Sequence, residues 1–98
     1  MQTMTKAELK RRLVPETALT VVNSLMGPCR KLRTVKKVSG NEFGLLAHEK
    51  GALSYFRLES NEYVEQTAKG FAIRLKENDR LMVEYEWGHN PLPKAEDS

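Results

Sequence analysis

Residues 29–37, CRKLRTVKK, carry five positive charges: Arg30, Lys31, Arg33, Lys36 and Lys37. Cations packed this closely suit one chemistry above others, the neutralisation of phosphates, which needs little beyond charge and spacing because counterion release supplies most of the affinity. Read as a strand, the segment divides into two faces. Leu32 and Val38 share the even face and are expected to point inward, with Arg30 and Lys36 near its ends. Lys31, Arg33 and Lys37 share the odd face with Val35 and are expected to point outward. Alternate strand residues lie about 6.6 Å apart, a spacing compatible with successive phosphates of a single strand. The same pattern also serves to keep an exposed edge from pairing with other chains, so both readings stay open.

A second set of candidates lies in residues 52–58, ALSYFRL. If Phe56 and Leu58 point inward, Tyr55 and Arg57 point outward together, and a tyrosine beside an arginine on an open sheet is what base stacking uses. Leu53 falls on that outward side too, which favours a strand buried on both faces over a stacking platform. A third set, Lys10 and Arg12 with Arg11 between them, lies near the N-terminus.

Other chemistry finds less support. The single cysteine, Cys29, excludes an internal disulfide and a cysteine metal cluster, and has no histidine or acid near it in sequence to form a nucleophilic pair. His48 and His89 have no metal-ligand spacing with each other or with Cys29. The carboxylates Glu42, Glu49, Glu59, Glu62, Glu65 and Glu77 fall mostly in turns, and no pair is spaced as acid and base. None of the glycines forms a phosphate-cradling motif. No enzymatic activity, cofactor or metal is expected.

The elements that must position these groups are short. Thr5 and Glu8 form a T-x-x-E capping box, flanked by Met4 and Leu9 at the positions of a hydrophobic staple. A helix over about 5–14 follows, ended by Pro15. In TALTVVN, Thr17, Thr20, Val21 and Val22 are β-branched and favour a strand, with a helix over 16–25 as the alternative. SLMGP reads as a loop. LRTVKKV, EFGLLAH and ALSYFRL are strand-length runs separated by turns. NEYVEQTAKG reads as a helical turn or two, capped by Asn61 and closed by Gly70. Finally, Phe71, Ile73 and Leu75 alternate with polar or small residues, as do Leu81, Val83, Tyr85 and Trp87, across the turn ENDR. That pattern predicts a hairpin in which Arg74 and Lys76 face Glu84 and Glu86.

Residues 1–90 are therefore expected to form one mainly β domain, either a small SH3-like barrel or a strongly bent antiparallel sheet of five to six strands with a short N-terminal helix. Residues 91–98, with two prolines and no periodicity, are expected to form a flexible tail. The chain has 98 residues, 40% of them hydrophobic, enough for a modest core. No apolar run approaches the length of a signal or membrane span, so a soluble, cytoplasmic protein is expected. Charge is unevenly divided. Residues 1–40 hold nine Lys and Arg against two Glu, and residues 41–98 hold seven against eleven acids. Such asymmetry points to a polyanionic partner for the basic half. The leading expectation is a non-enzymatic module that binds DNA or RNA, with Lys31, Arg33 and Lys37 as main phosphate contacts, aided by Arg30, Lys36, Lys10 and Arg12. The alternative is a protein-interaction or inhibitory module that docks an acidic partner or accepts a strand at its sheet edge. Monomer and dimer are both compatible.

Overall fold

A computed structural model describes residues 2–91. The predicted tail, 91–98, thus lies almost wholly outside the described residues. The hairpin expected near the C-terminus is present, formed by β7 (Gly70–Leu75) and β8 (Leu81–Trp87). Its apolar alternation sends Phe71, Ile73 and Tyr85 into the core. The register shifts between Ile73 and Arg74, so Arg74 does not face Glu84. Its Nε instead donates to Glu65 Oε1 at 2.7 Å.

Upstream lie β2 (Ala18–Ser24), β3 (Gly27–Ser39), β4 (Glu42–Ala47) and β5 (Ala52–Arg57), a four-strand meander. β2 is a strand, so the helical alternative for 16–25 does not hold. SLMGP is not an extended loop either, because Ser24 pairs with Gly27 across a two-residue turn. β6 (Glu62–Gln66) corrects the helical reading of 61–70. Its polar residues imitate a solvated helical turn, but only Val64 is buried, opposite Ile73 of β7. β1 (Gln2–Met4) adds three residues beside β6.

Among the described residues the sheet therefore has eight antiparallel strands in the order β1-β6-β7-β8-β2-β3-β4-β5 and does not close into a barrel, in place of the five to six strands expected. It is nonetheless strongly bent. Three strands separate β8 from β5, which on a flat sheet would hold them about 19 Å apart. Yet the Phe56 and Tyr85 rings lie 5.9 Å apart. Irregularities at Val21–Asn23 and Val35–Lys37 interrupt the ladders, and such bulges bend a strand and increase its twist. The enclosed face gathers Leu19, Val35, Phe43, Leu45, Phe71 and Tyr85, with stacked pairs Phe43–Phe56 and Phe71–Tyr85. Burial pushes the Tyr85 phenol well above its ordinary pKa.

The helix α1 spans Lys6–Arg12, shorter than the expected 5–14 because Leu13 already leaves helical geometry ahead of Pro15. Thr5 caps it as the sequence implies, its Oγ1 accepting from the Glu8 N–H at 3.0 Å. Met4, Leu9 and Leu13 are all buried. A seven-residue helix is marginal alone, and this one is held by that apolar stripe, packing on β6. Lys6 Nζ also donates to the Glu59 carbonyl at 2.6 Å. No helix among the described residues is long and apolar enough to cross a membrane.

Candidate nucleic-acid interface

The bulge in β3 decides which of the five clustered cations are presented. Val35 pairs with Leu45, but Lys37 pairs with Gly44, leaving Lys36 as the extra residue. One inserted residue inverts the alternation. Before the bulge, the odd residues therefore face the core: Val35 is fully buried, and Arg33 stands opposite Leu19 and Ala47, both buried. After it, Val38 joins Phe43 on the core side and Lys37 points outward. The expected outward placement thus holds for Lys37 and is reversed for Lys31, Arg33 and Val35.

Arg33 has only 12% of its side chain exposed, and its guanidinium grips Glu49 with two bonds of 2.7 and 3.1 Å. This fork holds the Glu49 carboxyl below the usual carboxylate range. Arg30 reaches Glu86 at 3.2 Å and the Asn90 carbonyl at 3.3 Å. Lys36 reaches Glu16 at 2.8 Å. Lys31 is exposed on β3 opposite Val21, on the core side of the sheet. The helix stands apart from this strand: Arg12 lies over the Trp87 ring of β8 at 5.2 Å, and Lys10 is half-buried.

The outer face of β3–β5 brings two of the sequence candidates together. Across the three strands, Lys37, Gly44 and Tyr55 form one row of paired residues, and Ser39, Glu42 and Arg57 the next. All six point away from the core, because Val38, Phe43 and Phe56 occupy the row between and are turned inward. At the centre, Gly44 contributes no side chain, and Lys37, Ser39, Glu42, Gly44 and Tyr55 line a hollow of about 330 Å³. Tyr55 is 53% exposed. Arg57 is paired loosely with Glu42 at 3.7 Å, longer than a hydrogen bond. Leu53, 39% exposed, continues the face along β5. The reading of β5 as buried on both faces is thereby excluded, and Tyr55 and Arg57 are placed outward together. The part of Gly44, Glu42 and Ser39 was not foreseen. A glycine opposite an aromatic residue within a strand pair is the signal that could have found it, since the missing side chain lets the ring lie close over the backbone.

The two histidines, distant in sequence, also converge. Their rings are 4.8 Å apart, and both Nε2 atoms approach Thr34 Oγ1, His48 at 2.8 Å and His89 at 3.3 Å. His89 Nε2 lies 2.8 Å from the Arg33 carbonyl, so this nitrogen carries a proton and donates. The Thr34 hydroxyl and His48 Nε2 share the second hydrogen bond of the cluster. The arrangement ties residues 88–90 to the sheet, together with bonds from Asn90 N to Thr20 Oγ1 and from Thr20 Oγ1 to the Gly88 carbonyl, each 2.7 Å. With its Nε2 committed as a donor, His89 cannot ligate a metal through it here. Among the described residues, no group of three or more His, Cys, Asp or Glu is placed to hold a metal ion. Cys29 is half-buried with its Sγ 3.5 Å from the Val21 carbonyl.

No protein-family model, curated protein sequence or solved structure matches the chain.

Proposed function

We propose that the chain is a non-enzymatic module that binds single-stranded nucleic acid on the outer face of β3–β5. One observation carries the reading: Lys37, Tyr55 and Arg57 stand on one open sheet face around Gly44, an exposed aromatic ring between two cations. Aromatic rings on a sheet hold unstacked bases by their π-faces while neighbouring cations track the backbone. A duplex keeps its bases stacked and cannot use Tyr55 in this way, so single strands are favoured. The phosphate contacts in this reading are Lys37 and Arg57, while Lys36 at the bulge is paired with Glu16. Arg33 and Arg30, committed to Glu49 and Glu86, serve the fold. Lys10 and Arg12 lie with the helix by β6 and β8 and contribute only long-range attraction.

The test is a fluorescence-anisotropy titration with labelled single- and double-stranded oligonucleotides over a salt series. Single strands should bind more tightly, with affinity falling steeply between about 50 and 200 mM salt. Absence of binding at the low end sinks the proposal, since an electrostatic site is strongest there.

A second reading has its own observation. β5 ends the sheet, and every residue in it except Phe56 is exposed, Leu53 and Tyr55 included. Such an edge can accept a strand from a protein partner. Capture of partners that persist after nuclease treatment, combined with failure of the oligonucleotide titration, selects this reading over the first.

A further inference from the structure

The hollow on the outer face holds one group that a purely electrostatic phosphate site would avoid. Glu42 puts a carboxylate between Ser39 and Arg57 and next to Gly44, on the same face as Lys37 and Tyr55. A negative charge there weakens attraction to every phosphate equally, so charge alone gives it no role in binding. Its partner Arg57 is 3.7 Å away and its side chain is 44% exposed, so its oxygens have room for further donors.

Taking the proposed single-strand site as its premise, we infer that the hollow selects guanine, with Glu42 as the residue that reads it. The argument is one of donor patterns. A carboxylate accepts at two adjacent oxygens and donates nothing. Guanine alone among the bases presents two neighbouring donors on its pairing edge, the ring N1–H and the exocyclic N2 amine. Adenine and cytosine each place an amine beside a bare ring nitrogen, and that lone pair repels the second oxygen. Thymine and uracil flank a single N–H with two carbonyls, which repel it on both sides. Guanine's remaining acceptor on that edge, O6, is matched by the donors flanking Glu42, namely the Ser39 hydroxyl and the Lys37 ammonium. Tyr55, half exposed with its ring lying over the buried Gly44, offers its outer side as the stacking surface, and single-stranded bases are read on this edge when one face is stacked.

Three labelled oligothymidylates test this inference: one unaltered, one with a single central guanine and one with a single central adenine. The wild-type chain should bind the guanine-bearing strand at least about fivefold tighter than the other two, the lower end of what a paired base contact discriminates. Glu42→Gln removes a negative charge and should tighten binding to the unaltered and adenine-bearing strands, while the guanine-bearing strand also loses its paired contact. An amide cannot accept at both positions, so the guanine preference should fall to about one. Equal binding of the three strands by the wild type, or a preference unchanged in Glu42→Gln, overturns the guanine assignment and leaves the single-strand site standing. Failure of every strand to bind at low salt overturns both.

Discussion

The Tyr55 ring crosses over Gly44, with its Cε1 atom 2.9 Å from the point that a Cβ on residue 44 would occupy and Lys37 Cβ 3.3 Å from the same point. Side chains from two separate strands thus close over the same point of β4, and their approach depends on residue 44 having no side chain. Gly44→Ala should push the ring aside. Tyr55 is half exposed and free to swing, so stability should change by less than about 1 kcal/mol. Single-strand affinity should fall several-fold, and anisotropy together with a thermal melt separates the two effects.

Removing the ring itself gives a sharper result. Tyr55→Ala should cost about 1–3 kcal/mol of single-strand binding and leave the weaker duplex binding nearly unchanged. A purely electrostatic interface would lose neither.

The cations should separate by where the bulge has put them. Lys37→Ala should reduce the slope of log affinity against log salt by about one. Arg33→Ala should instead act on the fold, because it leaves Glu49 without its two-bond partner against the sheet. It should lower the denaturant midpoint while the salt slope stays unchanged.

Gly70 tests the packing of β7 on β8. A Cβ there would meet the main-chain carbonyl of Tyr85 and lie 2.8 Å from Glu86 Cα. Backbone cannot swing away as a tyrosine ring can, so Gly70→Ala should destabilise the chain by about 3 kcal/mol or more. Urea denaturation of the two alanine variants, at Gly44 and Gly70, should therefore rank them far apart.

The pH dependence of stability follows from Glu49. Arg33 holds its carboxyl below the usual range in the folded chain, so folding is favoured above the unfolded carboxylate pKa, about 4.3. That contribution is lost as pH falls through the lower folded value. Stability measured by urea denaturation should thus decline on the acid side, and Glu49→Gln should flatten the part of the decline belonging to this pair. Because Glu49 is well solvated, the effect should be small.

Local chemistry made several elements legible. The Thr5–Glu8 cap, the terminating Pro15 and the strict alternation of 71–75 and 81–87 each depend on neighbours within a few residues, and each appears in the structure. β6 was illegible for the same reason. Its single buried residue, Val64, is identified only by its partner Ile73 on another strand. β1 is too short to show any period. The face of β3 was misread because alternation assumes an unbroken ladder, and nothing in RTVKKV announces that Lys36 is extra.

The sequence by itself determined a mainly β chain with a capped N-terminal helix and a basic first half, and left open whether Tyr55 and Arg57 face outward together. Only the tertiary structure decided which cations are available. The bulge turned Arg33 inward to Glu49 and Lys37 outward, and the bent sheet set Lys37 beside Tyr55 across Gly44. It also carried the helix, with Lys10 and Arg12, away to β6 and β8. Charge is a property of residues, but a binding face is a property of register, and register is settled between strands rather than along them.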